Sequence, residues 1–486
     1  MQKHRDCRRA AAPVKPDVRS RRPVLLAALV LSGTILAGYA TPAARAETLK
    51  QALARAYKTN PQLRAARAAL RAINEQAAQA FSNWRPNVSI SADAGRSATR
   101  SKTRGTGTGF RGDRRSPAGA SVNLSQNLFR GGRNIHQWRQ AKYNIFAQRA
   151  RLANVEQTVL LSVVTAYMNV VRDRAVLRLN KNNERVLARQ LQATRDRFSV
   201  GEVTRTDVSQ AQARLAQAKA NTIQALGNLQ ASRANYVNVV GHLPVKLRSP
   251  RVRAIFPRNA KTIISRARRN NPLVVAAIWD ENSARAGVKI VRGELLPTVT
   301  INGQVQRRFD SLGRESTSDS ASITANVTIP LYQSGAVMSR MRAAKQTVFQ
   351  RRNELRQAQR TAVENATRSF AAYRTARSIV SAFVSQLRAN RIALNGVKQE
   401  AAAGLRTVLD TLDAQQELLN AQVNLVRARR DLVVATYELL AAIGQMNAKR
   451  LRLPVKYYSV KKHYRKVRYK SFGFGKSIGS RPSLGK

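Results

Sequence analysis

The chain has 486 residues and a formal net charge of +60, from 86 Lys and Arg against 26 Asp and Glu. The single cysteine, Cys7, excludes a disulfide framework and a cysteine-based metal site. The length allows several domains or one very elongated one, and the charge alone would suggest nucleic acid or an anionic membrane surface as partner.

Residues 1–46 have the pattern of an export signal. Basic residues end at Arg22 and an apolar run occupies 24–40. Ala44 and Ala46 then give the small-x-small cleavage pattern, which places the mature start at Glu47. No later segment is long and apolar enough for a transmembrane helix, so any membrane-spanning part would have to consist of strands.

The remaining chain contains an internal repeat. Asn60-Pro61 matches Asn271-Pro272 at an offset of 211, and from Leu128 onward the offset is 203. The offset changes within a Gly/Ser/Arg-rich loop at 93–119, where length can vary at low cost. The sequence therefore predicts a first repeat at 47–265, a second at 266–448 and a basic C-terminal segment at 449–486.

Each repeat predicts a helix that ends before a proline (Pro86 or Pro297), followed by two strands. Residues 321–329 alternate strictly between apolar and uncharged polar side chains, and 120–125 do the same. Such strands fit a sandwich, or a membrane barrel whose apolar side chains face outward.

Two very long helices are predicted after the strands. Neither Gly nor Pro occurs at 134–200 or at 336–395, and Gly201 and Gly404 follow these runs. A second periodic helix follows each glycine, with leucines in an unbroken heptad from Leu418 to Leu439 in the second repeat. Each chain thus offers about four strands and four helical rods. Four strands cannot close a barrel, and open sheet edges are costly in lipid, so a closed oligomer of undetermined number is expected.

This arrangement resembles the TolC family of outer-membrane efflux proteins over about residues 47–444. The resemblance rests on the duplicated NP…P.V.I and L(F/Y)..G segments and on the turns GEVTRTD at 201–207 and GLRTVLDTLD at 404–413. It implies a mostly α fold with membrane β structure: a homotrimer with a 12-stranded β-barrel continued by a long periplasmic α-helical barrel.

The resemblance also implies a passive duct of a tripartite efflux or type I secretion system. Its partners would be a periplasmic adaptor, an inner-membrane pump of the ABC, RND or MFS class, and outer-membrane lipid. No nucleic acid, cofactor, metal or catalytic residue is expected. An exported basic coiled-coil protein that binds nucleic acid or another polyanion is the alternative, but it leaves the signal and the strand alternation unexplained. A secreted enzyme has little support, because no GxSxG, HExxH or Gly-rich phosphate loop is present.

In this family the two glycine-containing turns form the periplasmic tip of the tunnel. The resemblance assigns the tip turns and adaptor docking to Gly201, Thr204, Gly404 and Thr407.

Asp410 and Asp413 match the aspartates that ring the tunnel entrance, where like charges would raise their proton affinity. Arg406 and Asp207 match residues of the network that holds the tip closed. The closing tyrosine of the family falls at Ala401, which cannot make its hydrogen bond. By spacing alone, Asp410 and Asp413 could instead be solvated residues near a helix N-terminus, where acids are favoured.

Overall fold

A computed structural model describes residues 47–101, 111–250, 256, 259–311 and 315–474. Its helices are α1 (Leu49–Thr59), α2 (Pro61–Ser82), α3 (Arg133–Ser199), α4 (Arg205–Val240), α5 (Ala260–Asn270), α6 (Pro272–Arg292), α7 (Ala336–Ala402), α8 (Val408–Ala442) and α9 (Val460–Val467). Its strands are β1 (Asn87–Ala94), β2 (Ser97–Ser101), β3 (Arg111–Arg115), β4 (Ala118–Arg130), β5 (Thr298–Phe309) and β6 (Thr317–Thr328). The predicted cleavage residues Ala44 and Ala46 lie outside the described residues.

The two long helices are confirmed. Helices α3 and α7 contain 67 residues each, which corresponds to a length of about 100 Å. Helix α7 continues through Gly396, beyond the Gly/Pro-free run, because an isolated glycine costs a helix only about 1 kcal/mol. Of the heptad on α8, Leu425 and Leu439 are buried and Leu418 and Leu432 are half-buried.

Four strands form one antiparallel sheet in the order β1-β4-β5-β6. The β4–β5 pair joins the two repeats, and within the described residues β1 and β6 are the sheet's edges. The interpretation of 93–119 as a loop was wrong in part. Strands β2 and β3 form a separate two-stranded ribbon there. Their sequences, SATRS and RGDRR, lack the apolar alternation that would have indicated it.

The two faces of the four-stranded sheet differ in chemistry. Ile90, Val122, Val305 and Ala321 lie opposite one another across the four strands, and the adjacent same-face row includes Val88 and Ile323. These side chains are unusually exposed for their type: Ile90 is 78% and Ile323 76% exposed. The opposite face carries Ser, Asn, Thr and Gln at nearly every position of the same registers. Within the part of the chain that the structure describes, a continuous apolar sheet face is therefore uncovered.

Equivalent caps mark the start of each repeat. Asn60 caps α2 and Asn271 caps α6, and a proline occupies the first helical position after each. The amide of Asn60 also donates to Val239 O (3.0 Å), whereas that of Asn271 donates to Ala442 O (3.2 Å). Because Val239 and Ala442 are themselves related by the 203-residue offset, the repeat extends to tertiary contacts.

The main core lies where the helices of the two repeats meet. Tyr167, Tyr236 and Leu439 are fully buried there, and the segment at 446–453 completes the cluster. Helix α5 crosses the boundary at 265/266, so the division between repeats stays a prediction. None of the described helices combines the length and the apolar composition that a membrane span needs.

Candidate functional site

The α3–α4 and α7–α8 hairpins turn in the same way. Gly201 N donates to Phe198 O (3.1 Å) and Glu202 N to Arg197 O (3.0 Å). In the second hairpin Gly404 N donates to Ala401 O (3.3 Å), and Leu405 N to Glu400 O (2.9 Å). This pattern is the Schellman motif, which requires a left-handed residue after the helix. Gly201 and Gly404 have φ angles of +80° and +79°, so the structure places both glycines in tight turns.

The helix that follows each turn begins with a capping box. Thr204 N and Oγ1 donate to Asp207 Oδ2 (3.0 and 2.8 Å), while Asp207 N donates to Thr204 Oγ1 (3.3 Å). Thr407 and Asp410 repeat this arrangement at 3.0, 2.9 and 3.2 Å. Each carboxylate therefore satisfies otherwise unpaired N–H and O–H donors at a helix start. The Thr-x-x-Asp spacing is the sequence signal that could have indicated this role.

The contacts within one copy lower the proton affinity of Asp410. The increase expected from like charges concerns three copies and stays a prediction. The pKa of Asp410 lies below its usual value because the backbone N–H and hydroxyl of Thr407 donate to the carboxylate; the cation Arg406 acts in the same direction. Such a carboxylate supports the cap at neutral pH and loses this effect as pH falls through its folded-state pKa.

Asp413 and Arg406 take different partners. Asp413 Oδ1 accepts from Arg214 Nη2 at 2.5 Å, which joins α8 to α4 across the two repeats. Arg406 Nε donates to Glu400 Oε2 (2.9 Å) within its own hairpin, and this contact raises the pKa of Arg406. Within one copy, Arg406 thus pairs with Glu400 rather than with Asp207. The predicted network is not assembled by the contacts of a single chain.

Both turns carry an ion pair, but with the signs exchanged. Arg197 Nε lies 2.7 Å from Glu202 Oε2 in the first turn, and Glu400 Oε2 lies 2.9 Å from Arg406 Nε in the second. Residues 197 and 400 are equivalent positions of the repeat, 203 residues apart. Both pairs are solvent-exposed, so water screens them and each adds little to the stability of its turn.

The hairpins pack together near their ends. Leu187 and Leu191 of α3 form a small buried cluster with Val408 and Leu412 of α8, and alanines of α4 complete it. Gln415 Nε2 donates to Asn183 Oδ1 (3.2 Å) beside this cluster. The turns are therefore held on a packed base rather than being independent loops.

Glu47, the predicted mature start, is fixed in the fold. Its backbone N donates to Lys246 O (2.8 Å), and its carbonyl accepts from Tyr167 Oη (2.8 Å). Its carboxylate accepts from Tyr236 Oη (3.0 Å) and lies 3.2 Å from His242 Nε2. Burial raises the pKa of both tyrosines, so they remain neutral donors.

Positive charge gathers around one cavity. Nine Lys and Arg side chains of α3, α4, α8 and the 246–249 segment line a cavity of about 820 Å³, together with apolar side chains such as Leu177 and Leu229. In the described part of the chain, no group of His, Cys, Asp and Glu side chains could hold a metal ion.

The family described as outer membrane efflux protein matches residues 51–242 and 263–445 of the chain, and thus both repeats. The chain belongs to this family. It is 35% identical over 454 residues to the outer membrane efflux protein BepC of Brucella suis biovar 1 (strain 1330), covering 93% of this chain and 96% of BepC. It is 25% identical over 410 residues to the outer membrane protein TolC of Escherichia coli (strain K12), covering 80% of each.

The fold is also that of known outer-membrane channels. The Campylobacter jejuni CmeC outer membrane channel superposes with a TM-score of 0.73 at 18% identity, covering 86% of this chain and 89% of CmeC. These similarities confirm the predicted TolC-like family, fold class and outer-membrane location with extension into the periplasm. This member of the outer membrane efflux family is therefore an efflux or secretion duct, and the polyanion-binding alternative is not favoured.

Proposed function

We propose that three copies of the chain assemble into a closed channel, a 12-stranded membrane barrel continued by a periplasmic helical tunnel. The observation that carries this proposal is the four-stranded sheet. Within the described residues its apolar face is uncovered, and the outer edges of β1 and β6 are not paired with another strand. In lipid, the backbone N–H and C=O groups of such edges must be paired, and an apolar face is stable in contact with acyl chains. The number three comes from the similarity to the TolC family.

The polar face of the sheet would line the lumen. Serine, threonine, asparagine and glutamine along β4, β5 and β6 give a wet surface without a dominant charge. A passive duct needs this property, because strong binding to its wall would slow the release of cargo.

We assign the α3–α4 and α7–α8 turns to the periplasmic end, where a periplasmic adaptor and an inner-membrane pump would dock. Gly201, Thr204, Gly404 and Thr407 define the shape of the two turns through the Schellman motifs and capping boxes. Their packed base supports a rigid docking surface. The class of pump, whether ABC, RND or MFS, stays open.

The contacts of the two aspartates support a division of roles at the proposed gate. Asp410 is engaged by Thr407, whereas the Asp413 side chain is 55% exposed and has one cationic partner, Arg214. We propose that both carboxylates contribute cation-attracting charge at the entrance. Asp410 keeps its charge while it holds the helix start, because its donors on Thr407 are neutral, whereas Arg214 partly offsets the charge of Asp413. With alanine at 401, the closed state would depend on ion pairs such as Glu400–Arg406 rather than on a tyrosine.

The trimer is tested by membrane fractionation and gel migration. The mature protein should sediment with the outer membrane and should migrate as a trimer in mild detergent, converting to a monomer only after heating. A monomeric protein that remains in the periplasmic fraction would overturn the proposed channel.

A further inference from the structure

The C-terminal segment 455–474 follows α2 along its length. Near the start of α2, Tyr458 N donates to Tyr57 Oη (3.0 Å). Farther along, His463 Nδ1 lies 3.4 Å from Asn74 Nδ2. Later residues of the segment contact later residues of the region 57–74, so the segment and α2 run in the same direction.

The end of the segment reaches the junction between helix and sheet. The rings of Phe81 and Tyr469 pack edge to face at 5.1 Å. Arg85 donates through Nη2 to Tyr469 O (2.7 Å) and through Nη1 to Lys470 O (3.2 Å). Arg85 is two residues before β1, whose first exposed apolar side chain is Val88. Tyr469 and Lys470 therefore lie on the helical side of the sheet, close to the position at which its apolar face begins.

Charge and aromatic exposure are combined in this segment. From 455 to 474 it contains seven Lys and Arg and no Asp or Glu. The exposed cations include Arg465, Lys466 and Lys470, none of which has an ion-pair partner in the described part of the chain. Tyr469 is 52% exposed and Phe472 is 88% exposed, although both are large aromatic residues.

We propose that segment 455–474 binds anionic phospholipid headgroups of the periplasmic leaflet of the outer membrane. Basic side chains next to exposed aromatic rings are the composition of interfacial anchors, because cations bind lipid phosphates while the rings enter the headgroup layer. The proposal rests on the proposed function, since the sheet must span the membrane for the segment to lie at its surface. Binding of a second copy of this segment is not expected, because the positive charges of the two copies would repel each other.

The test uses the full-length protein purified in a neutral detergent. One variant combines Arg465→Gln, Lys466→Gln and Lys470→Gln. The matched control combines Arg374→Gln, Arg377→Gln and Arg388→Gln, which removes three exposed cations from α7. Native mass spectrometry counts the phosphatidylglycerol and phosphatidylcholine molecules retained by each protein, and heat-modifiable migration checks that each variant is assembled.

The parent and the control should prefer phosphatidylglycerol. Each basic residue near an anionic surface contributes about fivefold in affinity at low salt, so the C-terminal variant should lose at least about tenfold of this preference. Adding Phe472→Ser should further reduce the retention of both lipids.

Three results overturn the inference in an assembled trimer. These are a parent without preference for phosphatidylglycerol, a C-terminal variant with the same preference as the parent, and an equal loss of the preference in both triple variants. A C-terminal variant that retains lipid but loses transport would instead identify the segment as a protein-binding surface. A parent that forms no trimer overturns the proposed channel itself, and this placement with it.

Discussion

Asp410 and Asp413 are three residues apart on α8, yet their carboxylates have different partners. The first accepts from Thr407 within the capping box, and the second accepts from Arg214 of the other repeat. Similar residues at a helix start can thus have separate effects, one on the backbone and one on the contact between the two repeats.

This difference predicts separate phenotypes for two substitutions. In planar bilayers, Asp413→Asn should weaken block by multivalent cations by about tenfold, because it removes a carboxylate from each subunit at the entrance. Asp410→Asn should also weaken block, and in addition it should destabilise the start of α8, because the capping box loses its carboxylate. Asp431→Asn is the control, since Asp431 lies on α8 far from the turn and pairs with Arg430. Equal block in the parent and in Asp413→Asn would show that Asp413 faces solvent outside the pore.

A second residue-scale prediction concerns Glu156. Its Oε1 accepts from Ala448 N (2.7 Å), and burial raises its pKa, although this hydrogen bond and the charge of Arg67 oppose the shift. The folded state therefore binds a proton more tightly than the unfolded state, and stability falls as pH rises from the usual carboxyl pKa through the folded value.

Glu156→Gln should remove this pH dependence because an amide does not titrate. The fold should tolerate the change, since the amide oxygen can still accept from Ala448 N. Thermal melting is followed by circular dichroism at about pH 5 and at about pH 8. The Glu156→Gln variant should have a higher melting temperature than the parent at the higher pH only. Glu156→Ala is the contrast, because it leaves the Ala448 N–H unpaired and should cost about 1–3 kcal/mol at both pH values. A parallel pH dependence in the parent and in Glu156→Gln would contradict the assignment.

At the scale of elements, the hairpin turns depend on two left-handed glycines. Gly201→Val and Gly404→Val place a β-branched residue at φ angles near +80°, which costs at least about 1–2 kcal/mol although a Cβ would meet no atom within 4 Å. We expect each variant to insert into the membrane but to show faster hydrogen exchange at its hairpin end and impaired transport.

Gly227→Ala and Gly396→Ala are the matched controls for the turn variants. Both glycines lie inside helices, and an added Cβ at either position would meet open space, so alanine should stabilise by about 0.5–1 kcal/mol and leave transport intact. Normal transport in both valine variants would mean that these turns do not form the docking end.

The elements with strong periodicity were predictable, and those defined by distant contacts were not. Alternation indicated β6, and the absence of Gly and Pro indicated α3 and α7, because both signals are local. The ribbon of β2 and β3 was missed, since these two short polar strands show no apolar alternation. The Arg214–Asp413 pair spans 199 residues, and no local pattern indicates which arginine would meet that carboxylate.

At the scale of the whole molecule, the proposed closure requires β1 of one copy to pair with β6 of the next. The only cysteine, Cys7, lies in the predicted signal, so introduced cysteines in the mature protein have no competitor. Ile90→Cys combined in turn with Ala321→Cys, Ile323→Cys or Ala325→Cys should give covalent trimers on oxidation for at least one pair.

The control for edge pairing replaces Ile90 by its neighbour on the opposite face. Ser89→Cys with the same β6 cysteines should cross-link poorly, because successive side chains of a strand point to opposite faces. If none of the Ile90 combinations gives covalent species in oxidised outer membranes, the barrel does not close through these two edges.

The exchanged signs of the two turns have a consequence for symmetry. Three copies would present six hairpin ends that are nearly equivalent in backbone, since both turns are Schellman motifs followed by capping boxes. At equivalent positions, however, one end carries Arg197 and the next carries Glu400. The direction of the ion pair therefore reverses from each hairpin end to the next. The six ends would have approximate sixfold symmetry in their backbone but only threefold symmetry in their charges. Six identical partner hairpins would meet two kinds of binding surface in alternation, and would have to bind them in two different ways.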